Sequence, residues 1–114
     1  MRELTVGVNL IAGAANTIYT VPKGCTATAT LLFLANGGGT TKAISAAWHD
    51  YSENTSVIIA GDSSLGAGSY IQFSNGRMVM DEFDHLVVTP EAGSTMSCIF
   101  TIEINQNTAY QKGN

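Results

Sequence analysis

Hydrophobic and polar residues alternate along much of this chain with the period of two that a half-buried β-strand requires. One alternating set near the N-terminus consists of Leu4, Val6, Val8 and Leu10. A longer set near the C-terminus consists of Met96, Cys98, Phe100, Ile102 and Ile104. Because successive side chains of a strand point to opposite faces, each set predicts a strand with one buried face.

Two stretches, Ile18–Leu34 and His85–Ile104, share one plan. In each, a β-branched segment leads through a turn that begins with proline and ends with glycine into a long strand. Proline presets φ at the first turn position, and glycine accepts the positive φ that follows. Each stretch therefore predicts a β-hairpin, and the Asn75-Gly76 pair predicts a third between Tyr70–Phe73 and Arg77–Met80.

The middle of the chain is less regular. Lys42–Tyr51 fits either a short helix or a strand, and we predict a strand because an isolated helix of this length is marginal. We predict a short buried strand at Ser56–Ala60 and a long polar loop at Gly61–Gly68. The wholly apolar run Leu31–Ala35 predicts burial on both faces at that end of its strand.

These patterns predict an all-β fold of about eight or nine short antiparallel strands without significant helix, arranged as a β-sandwich, jelly-roll-like or as a small barrel. Residues 1–105 are expected to form one domain, and 106–114 a polar tail that frays or docks on a neighbour. An edge strand that begins at Leu4 is expected to add to a neighbour's sheet.

Composition narrows the class of protein. Charged residues make up 12% of the 114 residues, half of the roughly 25% usual in soluble domains, while 45% are apolar. The apolar content excludes a disordered chain. The low charge favours a surface that copies of the chain or a larger assembly cover. The alternative is a soluble β-domain that hydroxyl and amide groups keep in solution.

The charge distribution excludes two classes of partner. The net charge is −4, and the five basic residues are scattered, so the basic stripe of a nucleic-acid-binding protein is missing. No apolar run approaches the 18 or more residues of a membrane span. The N-terminus alternates instead of resembling a signal peptide, so we expect a chain that is made in the cytosol and is not secreted by the ordinary route.

Candidate chemistry is sparse. His49 and His85 each adjoin an aspartate, but neighbours on a strand face opposite ways, and no Gly-x-Ser-x-Gly motif is present. The only acidic cluster fits turn residues better than a calcium loop, and it consists of Asp81, Glu82, Asp84 and Glu91. We therefore predict no enzyme activity, no catalytic residue, no cofactor and no metal site.

The two cysteines, Cys25 and Cys98, lie one in each of the two similar stretches. A disulfide is possible if their strands pair. A reducing cytosol argues against it, and we favour two small buried apolar residues.

Part of the sequence resembles a known class of proteins. Thr17–Gly24, followed by an alternating Thr/Ala strand that ends at Asn36, resembles a phrase of small tailed-bacteriophage virion proteins, roughly T-x-Y-T-V-P-x-G and then A-N. The Gly68–Gln72 strand start and the Asp84–Thr89 segment also fit. Many such sequences have Gly-Asp where this chain has Phe83-Asp84, which is a departure. The resemblance spans residues 15–105.

This resemblance implies a structural virion protein, most specifically a capsid decoration or cement protein that bridges neighbouring capsid subunits. Its expected partners are the major capsid protein or other virion subunits and copies of itself, as a dimer or trimer, in the virion. We expect these interface residues: Arg2, Leu4, Trp48, Tyr51, Leu65 and Tyr110. The alternative is a carbohydrate- or receptor-binding module of a tail or fibre, in which Trp48, Tyr51 and Asp62 hold a sugar.

Overall fold

A computed structural model describes residues 2–74 and 76–106 of the chain. Within those ranges the chain forms nine strands and no helix, in two antiparallel sheets, which confirms the predicted all-β sandwich. The strands are β1 (Arg2–Asn9), β2 (Asn16–Thr20), β3 (Cys25–Asn36), β4 (Lys42–Asp50), β5 (Thr55–Leu65), β6 (Tyr70–Phe73), β7 (Met78–Met80), β8 (His85–Pro90) and β9 (Met96–Gln106).

The five-stranded sheet has the order β1-β9-β3-β6, with β7 also paired to β3, and the four-stranded sheet has the order β2-β8-β4-β5. The core fills the space between the sheets. Its largest fully buried hydrophobic side chains include Phe100, Leu34, Ile44, Leu86 and Ile102. The C-terminal alternating set is therefore inward-facing as predicted, whereas Leu4, Val6 and Val8 are only half-buried because β1 is an edge strand.

The two similar stretches are not hairpins, and that prediction was wrong. In each, the chain crosses from the four-stranded to the five-stranded sheet: β2 pairs with β8, and β3 pairs with β9. The turn chemistry itself is as expected, since Gly24 and Gly93 have φ of 79° and 77°. A Pro-to-Gly turn reverses the chain but does not require its two strands to pair. Here the apolar faces of both strands are buried against each other across the core.

The Asn75-Gly76 hairpin prediction was also wrong. Strands β6 and β7 do not pair with each other but both pair with β3, at Leu32–Ala35 and at Ala27–Ala29. With twelve residues, β3 is long enough to offer its edge to both strands. Asn75 itself lies outside the described residues.

In the centre of the chain, the prediction for β4 is confirmed and the prediction for β5 is corrected. Lys42–Asp50 is a strand, as predicted. β5 is longer than predicted: it continues from Thr55 through a register shift near Gly61 and Asp62 to Leu65, so these residues do not form a loop. The shifted segment is fastened by Ser45, whose hydroxyl donates to Asp62 Oδ1 at 3.0 Å and accepts from the Asp62 N–H at 2.9 Å. Most of Ser56–Ala60 is exposed rather than buried, because β5 lies at the edge of its sheet.

Asp84 is a buried carboxylate rather than an ordinary turn residue, with 1% of its surface exposed. The backbone N–H groups of Tyr51 and Asp81 donate to it at 2.9 Å each, and the Trp48 indole N–H donates at 3.3 Å. Its own backbone also links two connections, since the Val21 N–H donates to the Asp84 carbonyl at 2.9 Å. The Asp84 side chain thus joins the β4–β5 and β7–β8 connections, and its backbone carbonyl adds the β2–β3 connection at the same end of the sandwich.

The cysteines are free, and the register explains why they do not pair. On β9, Gln106 lies opposite Cys25, whereas Cys98 lies opposite Leu34. The eight residues from Cys98 to Gln106 place the two thiols on the order of 26 Å apart, far beyond the reach of a disulfide.

Burial raises the pKa of Cys98 to about 12, so almost none of this thiol is the reactive thiolate at pH 8. We expect iodoacetamide to alkylate half-buried Cys25 in the native protein and to alkylate Cys98 only when urea unfolds the chain. Peptide mass spectrometry measures both rates. Equal rates in native buffer would contradict the position of Cys98 in the core.

Candidate interaction surface

The outer face of the five-stranded sheet changes character at a bulge in β3. The register of β3 against β9 shifts between Ala29 and Leu31, so that Thr30 is an extra residue. Before the bulge, Thr26 and Thr28 face outward; after it, Leu31 and Phe33 do. The prediction that Leu31–Ala35 is buried on both faces was wrong, since this outer side is only half-buried.

Four residues form an apolar patch on this face: Leu31, Phe33, Tyr70 and Ile99. Phe33 lies opposite Ile99 on β9 and stacks on the ring of Tyr70, with the ring centroids 4.9 Å apart. Tyr70 is 61% exposed and Ile99 is 40% exposed. Next to Ile99 on β1 lies Gly7, where an added Cβ would meet no atom within 4 Å. No described element of the chain covers the patch.

Polar groups occupy the opposite end of the same face. Moving along β1 and β9 from the patch, the next pair is Thr5 and Thr101, whose hydroxyls hydrogen-bond at 3.0 Å. The pair after it is Glu3 and Glu103, and Arg77 approaches Glu103 at 3.9 Å. The charged groups of this face therefore lie at the end away from the patch, where Val79 is also exposed, and this uneven distribution of charge favours one direction of docking.

The two histidines meet on the outer face of the four-stranded sheet. His49 and His85 are cross-strand neighbours whose rings stack at 4.7 Å. His49 Nδ1 shares a hydrogen bond of 3.0 Å with the Ser56 hydroxyl. Asp84 points into the sandwich, so it does not complete a Ser-His-Asp arrangement. Among the described residues, no three His, Cys, Asp or Glu side chains converge as metal ligands.

Of the three residues proposed for a sugar site, Trp48 and Tyr51 lie together because both donate to Asp84, whereas Asp62 lies elsewhere, beside Ser45. Trp48 is held by Asp84, and Tyr51 is exposed and packs edge-on against Phe83 at 5.1 Å. Asp62 lies on β5 and is hydrogen-bonded to Ser45, which is on β4 three residues before Trp48. The face that a stacked sugar ring requires is therefore not assembled from these three residues.

The remaining residues expected at an interface are dispersed. Arg2 is exposed and Leu4 is half-buried, both at the start of β1. Leu65 is 4% exposed and belongs to the core at the opposite end. Tyr110 lies outside the described residues. The patch residues were not predicted from the sequence to lie at an interface. The wholly apolar run Leu31–Ala35 was the signal that could have identified them.

Solved structures are the known proteins to which this chain shows similarity. No protein-family model and no curated protein sequence matches the chain. A chain from Bacillus endospore appendages, which form a family of disulfide-linked pili, is 14% identical, with a TM-score of 0.49 over 93% of this chain and 86% of that one. A chain of infectious bursal disease virus, Gx strain, is 12% identical, with a TM-score of 0.39 over 99% of this chain and 43% of that one.

The Gt strain of the same virus gives 10% identity and a TM-score of 0.38. This chain spans less than half the length of the viral chains. None of its described residues forms a helix long and apolar enough to cross a membrane.

Proposed function

We propose that this chain is a structural, non-enzymatic subunit of a virion, and most specifically a capsid decoration or cement protein. The observation that carries the proposal is the apolar patch on the outer face of the five-stranded sheet. A strand end with apolar residues on both faces, such as Leu31–Ala35, is typical of a strand that is covered on both sides. In this chain one side faces the core and the other side has no cover from the described residues, which favours a cover provided by another subunit.

The proposed mechanism is non-covalent. Burying a large apolar side chain contributes about 1.5–3 kcal/mol, so the patch supplies a useful part of a contact while the polar end of the face sets its orientation. A stable contact buries roughly 1,000 Å² or more in total, so loops and edges around the patch must take part. The sandwich itself is rigid enough to act as a bridge, because every buried side-chain N or O among the described residues has a hydrogen-bond partner.

The test is binding to particles. We expect the wild-type protein to co-sediment with virus particles purified from its source, and Ile99→Lys to weaken this binding at least tenfold, because it places a charge in the centre of the patch. Ile11→Lys is the matched control, since Ile11 is an exposed isoleucine in the loop after β1. Circular dichroism establishes that both variants fold.

Equal binding by wild type and Ile99→Lys would show that the patch is not the contact. A protein that ignores particles, remains monomeric at micromolar concentration and binds glycans on an array would instead support the carbohydrate-binding alternative. Analytical ultracentrifugation of the free protein tests the expected dimer or trimer.

A further inference from the structure

One flank of the sandwich is open. There the edge of the four-stranded sheet, β5, lies beside the edge formed by β6 and β7 of the five-stranded sheet. A cavity of about 440 Å³ lies between them. Its apolar lining includes Ala29, Leu32, Ile59, Met78 and Phe100. This volume is within the range of binding pockets, about 300–1,000 Å³, and its lining is mostly hydrophobic.

The cavity exists because the β6/β7 edge is interrupted. Phe73 at the end of β6 pairs with Leu32, and Met78 at the start of β7 pairs with Ala29. Two residues of β3, Thr30 and Leu31, therefore have no strand partner on this side. At this gap the cavity is lined by Ser74, Gly76 and Arg77, and Phe100 at its inner wall is fully buried.

The facing edge, β5, has few of the features that normally protect an edge strand over Thr55–Ala60, and the register shift in this segment lies at its end, at Ile59. These six residues include no charge, proline or glycine, and their register against β4 is regular from Thr55 to Ile58. Ile58 is 71% exposed and Val57 is 48% exposed. By contrast, β1 begins with charged Arg2 and Glu3, and β2 is a short strand with a register shift. Uncharged, regular edges of this kind are templates for another strand.

The charged residues that flank this edge along the chain are acidic. Asp50 and Glu53 precede the uncharged segment, Asp62 follows it, and no Lys or Arg occurs between Lys42 and Arg77. Lys42 is paired with Glu91 at 3.7 Å. Arg77 is the cationic side chain that lines the cavity; it is 71% exposed, and its guanidinium approaches Glu103 at 3.9 Å. An extended partner along β5 would therefore meet carboxylates near both of its ends.

We propose that the β5 edge and the adjoining cavity bind an extended segment of a partner protein in which alternating apolar residues are flanked by lysine or arginine. Its main chain adds as a strand beside Thr55–Ala60, and a large apolar side chain that points inward enters the cavity. Its basic ends face Asp50, Glu53 and Asp62. The proposal deepens the virion role and rests on it for the identity of the partner, which is a strand or arm of a capsid subunit.

A designed peptide tests the chemistry without any particle. The probe is a fluorescent nine-residue peptide, KKVTFTVKK, with two controls: EEVTFTVEE reverses the ends, and KKVTSTVKK lacks the aromatic side chain. We expect fluorescence anisotropy to show binding of the first peptide that is at least tenfold tighter than binding of either control. The difference between lysine and glutamate ends should shrink when salt rises from 20 mM to 300 mM, because exposed charges are screened.

Variants locate the peptide on the protein. Ile58→Lys adds a charge to an exposed edge position and should weaken binding of KKVTFTVKK at least tenfold, whereas Val79→Lys, an exposed control on β7, should leave binding unchanged. Ile59→Trp fills the cavity mouth and should reduce binding of KKVTFTVKK to the level of KKVTSTVKK. Glu53→Lys should weaken binding of the lysine-ended peptide and is on an exposed turn, so it remains informative if Ile59→Trp folds poorly.

The outcomes separate the two proposals. Peptide binding with the expected variant pattern, but no particle binding by the wild type, would support the edge site and overturn the virion role. Particle binding that Ile58→Lys leaves intact, together with no peptide binding, would overturn the edge site. A wild-type dimer that Ile58→Lys converts to a monomer would also overturn it, because the occupant of the edge would then be a second copy of the chain.

Discussion

Replacing Phe100 with alanine is expected to lower the free energy of unfolding by about 3–5 kcal/mol. Phe100 is fully buried on β9, opposite Val6 on one side and Leu32 on the other. It also lines the cavity at the open flank, so the space left by its ring joins an existing void.

Urea unfolding followed by circular dichroism measures this loss. The matched control is Ile99→Ala, at the adjacent residue that faces outward and is only partly buried. We expect the control to cost about 1 kcal/mol or less, as surface substitutions do. A loss below about 1 kcal/mol for Phe100→Ala would mean that β9 turns this face away from the core.

Replacing Asp84 with alanine is expected to lower the free energy of unfolding by on the order of 4 kcal/mol, since each buried donor without a partner costs about 1–3 kcal/mol. The alanine leaves the N–H groups of Tyr51 and Asp81 and the Trp48 indole without their acceptor. The effect should extend to the β4–β5 and β7–β8 connections, whereas the alanine keeps the backbone carbonyl that accepts from the Val21 N–H.

Two further variants separate the acceptor role of Asp84 from its charge. Asp84→Asn keeps the shape of the side chain and one acceptor oxygen but places an NH₂ group against the N–H donors. We therefore expect the free energy of unfolding to fall by less than it does for Asp84→Ala. Asp81→Ala removes an exposed carboxylate while keeping the backbone N–H that bonds to Asp84, and we expect it to be nearly neutral. Thermal unfolding and Trp48 fluorescence report on all three variants. Equal losses for Asp84→Ala and Asp81→Ala would contradict a structural role for the buried carboxylate.

The outer surfaces were harder to predict than the core because they depend on which strands lie at an edge. Val57 and Ile58 form an apolar segment, and the sequence therefore indicated a buried strand. Their position at the edge of the four-stranded sheet leaves them exposed. The bulge at Thr30 likewise determines which residues of β3 face outward, and a bulge depends on how two strands fit rather than on the sequence of one.

The fate of Asp84 illustrates the same limit for polar residues. In the sequence it belongs to a run of acidic residues that fits a turn, and only Asp84 of that run is buried. Its donors come from residues 51, 48 and 81, two of them more than thirty positions away in the chain. No local pattern indicates such an acceptor, so the structural role of Asp84 becomes evident only where these connections meet.

The sequence by itself determined the strand content of this protein, because period-two alternation and turn glycines act over a few residues. The inward face of β9, the strand at Lys42–Asp50 and the positive φ of Gly24 and Gly93 all follow from such local rules. Tertiary structure alone decided how the strands pair. A turn reverses the chain equally well within a sheet or between sheets, and the choice depends on which arrangement buries both apolar faces. That choice placed β2 beside β8 and β3 beside β9, and it left the patch and the β5 edge uncovered.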